Sequence, residues 1–215
     1  MRRTPIIDGH KRFAVILVGG AQPPAIRRDA QTGSNVLALG AGPTPPGQAA
    51  DRADIRIYSG ITYGRTWFTS LDVLIPHGTP RPQDWQVLLQ CVQHGADRSP
   101  PISLDLEPDG RLSLIARSDA DTYRSLWSAP LAQGRWTRLV LGLRMGADGR
   151  ARLWVDGRAV ADIRQTLGWR QGRGGGGACT LKAGIYRGAS SRPFSLRLDN
   201  MRLGDTYDDV AGDPG

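Results

Sequence analysis

Two polar side chains near the C-terminus are spaced so that they could bind an anionic substrate. The stretch LKAGIYR would, as a β-strand, place Lys182 and Tyr186 on one face with Gly184 between them, because successive side chains point to opposite faces. The intervening positions are apolar and would face a core. An ammonium group and a phenol would then lie in register across a residue with no side chain, where a ligand could approach the backbone.

Two other stretches show the same alternation of apolar and polar positions. The first, DRADIRIY, places Arg52, Asp54 and Arg56 on one face and apolar residues on the other. The second, WQVLLQCVQH, places Gln90 and His94 on the same face. Three strands with a polar front and an apolar back are therefore predicted, and they carry guanidinium, carboxylate, amide and imidazole groups.

The composition favours an all-β fold that could hold these strands. The 215 residues include 28 glycines and 15 prolines, and short alternating segments recur between turn residues. We expect one domain over residues 13–207, with loose segments at 1–12 and 208–215. Two stretches rich in proline and glycine, 22–30 and 41–50, are predicted to be loops. The predicted architecture is a sandwich of two antiparallel sheets.

The net charge of +8 favours polyanionic partners, such as an acidic polysaccharide, nucleic acid or an anionic surface. Among the 28 basic residues only Lys11 and Lys182 are lysine, and such uniform use of arginine could equally reflect genome composition. The arginines are spread through the chain and do not form one basic tract with stacking aromatics. Nucleic acid binding is therefore the weakest of the hypotheses.

The apolar runs and the two cysteines bear on membrane insertion and on disulfide formation. No run approaches the roughly 20 apolar residues that span a bilayer. The apolar residues 13–20 follow several basic residues and faintly resemble a signal peptide, but we expect a first β-strand there. Cys91 and Cys179 allow at most one disulfide, and the sequence leaves open whether they form it or remain buried thiols.

The three polar strands together resemble those of jelly-roll polysaccharide lyases, meaning the alginate lyases of family 7 and the related glucuronan lyase and heparin lyase I-like families. Those families carry R-x-E-x-R, Q-[IV]-H and Y-F-K-A-G-x-Y strands along one cleft. The last motif is matched from Lys182 to Tyr186, and the first is matched with Asp54 in place of glutamate. In the middle motif Val92 replaces the glutamine, and Gln90 lies about 7 Å further along the strand.

The resemblance extends in some degree over residues 50–205. A further segment, from G-R-W to W-V-D-G within residues 134–157, resembles concanavalin A-like sandwiches in general. The resemblance therefore implies a concanavalin A-like β-jelly-roll made of two antiparallel sheets.

Lyases of this kind cleave uronate polymers by β-elimination, in which a proton leaves C5 beside the carboxylate and the 4-linked sugar departs. Negative charge must be neutralised as it develops, and arginine can grip a carboxylate with two parallel hydrogen bonds. The resemblance implies catalytic roles for Arg52, for His94 as base or carboxylate neutraliser, and for Tyr186 as the acid. The substrate-binding candidates are Arg56, Asp54, Gln90, Lys182 and Arg187.

This scheme needs no metal or other cofactor. Some relatives bind calcium, but the sequence shows no dedicated calcium loop. We expect an acidic polysaccharide as the partner, neither nucleic acid nor a membrane, and a monomeric chain. A polymeric substrate implies a secreted or periplasmic protein, although the N-terminus carries no convincing signal peptide.

Each candidate also has a structural interpretation. A lone strand histidine such as His94 is more often structural than catalytic, and a strand tyrosine is often a packing residue with a solvated hydroxyl. An Arg-x-Asp-x-Arg strand is commonly a solvated sheet face. A non-catalytic carbohydrate-binding module on the same sandwich is therefore the second hypothesis, motivated by the displaced Gln90 and by Asp54.

Overall fold

The chain forms two antiparallel β-sheets. The structure, a computed structural model, describes residues 5–8, 11–93, 99–117, 123–169 and 178–211. The first sheet has eight strands, which are, in order across it, β1 (Pro5–Asp8), β2 (Lys11–Val18), β5 (Ala50–Thr62), β14 (Ala178–Gly188), β7 (Gln86–Gln93), β8 (Ile102–Leu106), β9 (Arg111–Arg117) and β10 (Tyr123–Pro130).

The second sheet has seven strands, which are, in order across it, β13 (Arg158–Arg164), β12 (Arg150–Val155), β11 (Thr137–Arg144), β6 (Thr66–Leu74), β15 (Phe194–Gly204), β4 (Asn35–Ala41) and β3 (Ala25–Arg28). One core joins the two sheets. Ile55 and Leu114 of the first sheet and Leu139 and Leu153 of the second are all almost fully buried in it. The predicted all-β jelly-roll sandwich is confirmed.

The chain is more ordered at its ends than the sequence indicated. We expected a loose segment up to residue 12, but β1 pairs with β2, and β2 pairs with β5. Pro5 is the first residue of an edge strand, a position that tolerates proline. β3 likewise lies inside a stretch that we predicted as a loop, where it pairs with β4.

The expected loose tail also begins with structure. Helix α1 (Asp208–Ala211) is short, but the Val210 side chain is fully buried against Phe68 and Val140. One apolar residue in a polar tail is enough to dock it, because the outer face of the second sheet offers an apolar site. The described residues contain no helix with the length and hydropathy needed to cross a bilayer.

A disulfide links two central strands of the first sheet. Cys91 on β7 and Cys179 on β14 are bonded, and their Cα atoms lie 5.6 Å apart. Both residues are buried in the core. The bond answers the question that the sequence left open, and it ties together two of the three strands that carry the predicted site.

Candidate active site

The three polar strands are neighbours, in the order β5, β14, β7. Lys182 on β14 is paired with Arg56 on one side and with Gln90 on the other. Tyr186 is paired with Arg52. Residues that are far apart in sequence therefore lie side by side on one sheet face, as their shared alternation predicted.

The phenol ring of Tyr186 is held between a cation and an indole. The Arg52 guanidinium carbon lies 3.8 Å from the centroid of this ring. The Trp85 ring meets it edge-on, with centroids 4.8 Å apart and planes at 72°. Stacking and cation–π contacts of this kind restrict the ring of Tyr186, which lines a cavity.

Asp54 lies beneath this pair and is 1% exposed. Its Oδ2 atom is 3.5 Å from Arg52 Nε and 3.5 Å from Gln90 Nε2, while Oδ1 is buried without a hydrogen-bond partner. Burial raises the pKa of Asp54 to about 6, against the opposing attraction of Arg52, Lys182 and Arg56. Asp54 is therefore a weakly held counter-ion that orients Arg52 from below.

A cavity of about 890 Å³ opens over this face. Arg52, Gln90, Lys182 and Tyr186 line it, as predicted. Arg56 does not line it but lies at its side, next to Lys182, and its Nε atom is buried without a hydrogen-bond partner.

A β-bulge lets more of β7 face the cavity than simple alternation allows. The pairing of β7 with β8 shifts between Val87 and Leu89, where β7 has one extra residue, so Val87 and Gln90, which differ in parity, both line the cavity. The pairing of β14 with β7 also shifts, between Ala183 and Tyr186. Gly184 lies in the shifted segment with φ of 141°, and a Cβ atom there would lie 2.4 Å from the Ala53 carbonyl oxygen. Our expectation that this glycine makes room for a ligand was wrong, because the neighbouring strand occupies that space.

Arg187 does not belong to this site, and its assignment to substrate binding was wrong. It has the parity of the apolar face of β14 and is 3% exposed. Its Nε and Nη2 atoms both lie 2.9 Å from Asp51 Oδ2, and Nη2 also donates to the Gly42 carbonyl oxygen at 2.7 Å. Its role is structural, since it fixes the loop after β4 to the sheet.

His94 lies outside the described residues, so its role as base or carboxylate neutraliser stays a prediction. The residue before it, Gln93, does not line the cavity. Its side chain exchanges two hydrogen bonds with the Trp169 backbone, at 2.7 and 3.1 Å, and accepts a third from the Tyr63 hydroxyl. The end of β7 that leads to His94 is therefore firmly held.

The sequence reasoning missed the other residues that line the cavity. Those on or next to the strands beyond β7 include Asp105, Glu107, Arg117 and Tyr123. The segment I-S-L-D-L-E, which covers β8 and the residue after it, alternates apolar and polar positions. That pattern would have placed Asp105 and Glu107 on a polar face. Only the order of strands in the sheet shows that this face continues that of Tyr186.

Hydrogen bonds hold this part of the cavity lining together. Arg117 donates to Ser103 Oγ at 2.9 Å and to Asp105 Oδ2 at 3.3 Å, and the Tyr123 hydroxyl donates to Glu107 at 2.9 Å. Burial and the bond to Glu107 raise the pKa of Tyr123 to about 12, so it stays a neutral phenol. Burial also raises the pKa of Asp105.

Comparison with known proteins decides the family. A family model described as "Polysaccharide lyase" matches residues 25–202. The chain belongs to the polysaccharide lyase family. This assignment agrees with the predicted fold and with the resemblance of the three polar strands, and it makes the chain a lyase. No curated protein is a significant match to the sequence.

Solved structures share the fold of this polysaccharide lyase. An endo-β-1,4-glucuronan lyase from the fungus Trichoderma reesei is 14% identical with a TM-score of 0.69, over 94% of this chain and 90% of that one. The family 7 alginate lyase AlgAT5 is 15% identical with a TM-score of 0.59, over 84% and 82%. Another family 7 alginate lyase, in complex with substrate, is 13% identical with a TM-score of 0.61, over 85% and 83%.

The part of the chain that the structure describes contains no group of three histidine, cysteine, aspartate or glutamate side chains placed to hold a metal ion. Whether the lyase needs calcium is not decided by this, so the expected metal-free reaction stays a prediction.

Proposed function

We propose that this lyase cleaves a uronate-containing polysaccharide by β-elimination at the face formed by β5, β14 and β7. The observation that carries the proposal is the Tyr186 phenol, which lines the cavity with the Arg52 guanidinium 3.8 Å from its ring and Lys182 on the same strand. A proton-transfer group next to fixed cations is what abstraction of a proton beside a carboxylate requires.

In this reaction the C5 proton is removed, a double bond forms between C4 and C5, and the bond from C4 to the leaving oxygen breaks. Arg52 binds the uronate carboxylate and stabilises the charge that spreads onto it, and Gln90 adds a neutral donor. Tyr186 delivers a proton to the leaving oxygen. In a syn elimination Tyr186 acts first as the phenolate, takes the C5 proton and passes that proton to the leaving oxygen, while in an anti elimination His94 is the proposed base and Tyr186 donates its own proton.

Arg56 and Asp54 support this arrangement without touching the reacting atoms. Arg56, which is paired with Lys182, adds positive charge beside it. Asp54 restrains Arg52 from below without fully neutralising it, because the two groups are 3.5 Å apart and burial raises the pKa of the carboxyl to about 6.

The test is the near-ultraviolet absorbance of an unsaturated uronate when the protein is incubated with a panel of uronate polymers. Tyr186→Phe and His94→Ala are each expected to lower kcat/KM at least 100-fold, the usual scale of acid–base catalysis. Tyr207→Phe is the matched control, since Tyr207 packs on Trp154 at the outer face of the other sheet.

Near-wild-type rates in the Tyr186→Phe protein would show that the acid is another group. Binding of the polymers with no product from the wild-type protein would instead indicate a carbohydrate-binding module.

A further inference from the structure

The cavity has two ends of different charge. At the β5–β14 end the described lining residues include Arg52 and Lys182, and the acid beneath them is the buried Asp54. At the β8–β10 end the described lining residues include two carboxylates, Asp105 and Glu107. A bound polyanion would be attracted to the β5–β14 end and repelled by the β8–β10 end.

Among the described lining residues, the one guanidinium at the acidic end is already occupied. Arg117 donates to the Pro100 carbonyl oxygen at 3.2 Å, to Ser103 Oγ and to Asp105. Its charge is therefore largely balanced by Asp105, and among these described residues Glu107 leaves one uncompensated negative charge. A second uronate carboxylate placed there would be repelled.

The same end offers groups that suit sugar hydroxyls and ring faces. Asp105 is 4% exposed, and its Oδ1 atom has no hydrogen-bond partner within the described chain, so it leaves a buried acceptor beside the cavity. Tyr123 is 53% exposed and can present its ring to a pyranose. A buried acceptor without a donor is costly unless a ligand satisfies it.

The two ends lie along one line across the sheet. Tyr186 is paired with Val87, and Val87 is paired with Asp105 two strands from β14. At about 4.8 Å between strands, Asp105 is roughly 10 Å from the backbone of Tyr186. This separation exceeds one sugar ring, so a neighbouring sugar of the bound chain reaches the acidic end.

We infer that the sugar bound over β8–β10 is uncharged, so the substrate is a copolymer of uronate and neutral sugar and not a homopolyuronate. The inference rests on the proposed function, because it assumes that the uronate to be cleaved lies over β5 and β14. Glu107 is the specificity-determining residue, and it acts by excluding a second carboxylate.

The test compares the binding of two unsulfated, 1,4-linked tetrasaccharides by calorimetry at pH 7.5 and fixed salt. One contains only glucuronate, and the other alternates glucuronate with N-acetylglucosamine. The Tyr186→Phe protein is used so that nothing is turned over. We expect at least fivefold tighter binding of the alternating tetrasaccharide, although the overall charge of +8 favours the homopolymer.

Adding Glu107→Lys to this protein is expected to shift the ratio of the two dissociation constants roughly tenfold toward the homopolymer, because repulsion becomes attraction. Asp162→Lys is the matched control, since it makes the same charge change at an exposed acid on β13 of the other sheet. It is expected to leave the ratio unchanged.

Tighter binding of the homopolymer by the parent protein, an unchanged ratio in the Glu107→Lys variant, or no binding of either tetrasaccharide would each overturn the inference. None of these outcomes depends on turnover. Failure of the proposed function is recognised separately, by the absence of unsaturated product from the wild-type protein.

Discussion

Replacing Asp54 with asparagine is expected to stabilise the folded protein at neutral pH. Asp54 is 1% exposed, and burial raises its pKa from 3.8 to about 6 even though Arg52, Lys182 and Arg56 oppose the shift. The wild-type protein therefore loses free energy when it holds this carboxylate ionised in the folded state, and asparagine has the shape of the acid without its charge.

The magnitude follows from linkage between protonation and folding. Because the folded-state pKa is above the unfolded one, the contribution of the neutral carboxyl is fully present below pH 3.8 and is lost as the pH rises to about 6. At about 1.4 kcal/mol per pH unit, the loss amounts to about 3 kcal/mol above pH 6. The Asp54→Asn protein should avoid that loss.

The assay is urea denaturation of both proteins between pH 3.5 and 8, with the difference in unfolding free energy plotted against pH. The difference should be near zero at the acid end and reach about 3 kcal/mol in favour of the variant above pH 6. Asp162→Asn is the control, because its exposed carboxylate has a pKa lowered by the hydrogen bond from Arg150 and should show no such gain. A variant that is less stable at pH 7.5, or a difference independent of pH, would refute the reasoning. Activity of Asp54→Asn should nevertheless fall, because Arg52 loses its charged neighbour.

Three further changes probe the scaffold of the site. Arg187→Met should lower the unfolding free energy by about 3 kcal/mol in urea denaturation, because it strands the buried Asp51 carboxylate, and adding Asp51→Asn should recover part of the loss. Gly184→Ala should lower the unfolding free energy by at least about 3 kcal/mol, because its Cβ would lie 2.4 Å from a carbonyl oxygen. Gly157→Ala, at a positive φ of 77° in open space, should lower it by only about 1 kcal/mol. Equal losses in the two variants would contradict the steric argument. Reducing the disulfide between β7 and β14, whose cysteines are 88 residues apart, should lower the unfolding free energy by about 4 kcal/mol, which denaturation with and without dithiothreitol would measure.

Much of the site could be predicted because alternation is a local property of a strand. Arg52, Asp54, Gln90, Lys182 and Tyr186 each occupy the polar parity of a segment whose other positions are apolar, and burial of the apolar positions fixes the direction of the rest. Each segment therefore had to present these groups on one face of its own strand, whichever strands adjoined it.

The wrong predictions also follow from the local nature of alternation. Arg187 sits at a position of apolar parity, and its partner Asp51 lies 136 residues away, so nothing local showed that a buried ion pair would satisfy it. The close approach at Gly184 comes from Ala53 on another strand. The β1 and β3 strands and the α1 helix are short elements that form by docking on a larger sheet, and their own sequences carry little signal.

By itself, the sequence determined which side chains share a face within each strand, the all-β character of the chain and a family resemblance carried by three motifs. Only the tertiary structure decided which strands are neighbours, that β14 lies between β5 and β7, and that the acidic residues of β8 continue the same cavity. Pairing between strands depends on backbone hydrogen bonds, which every residue except proline can make, so the order of strands is set by packing of the whole core and not by any one stretch.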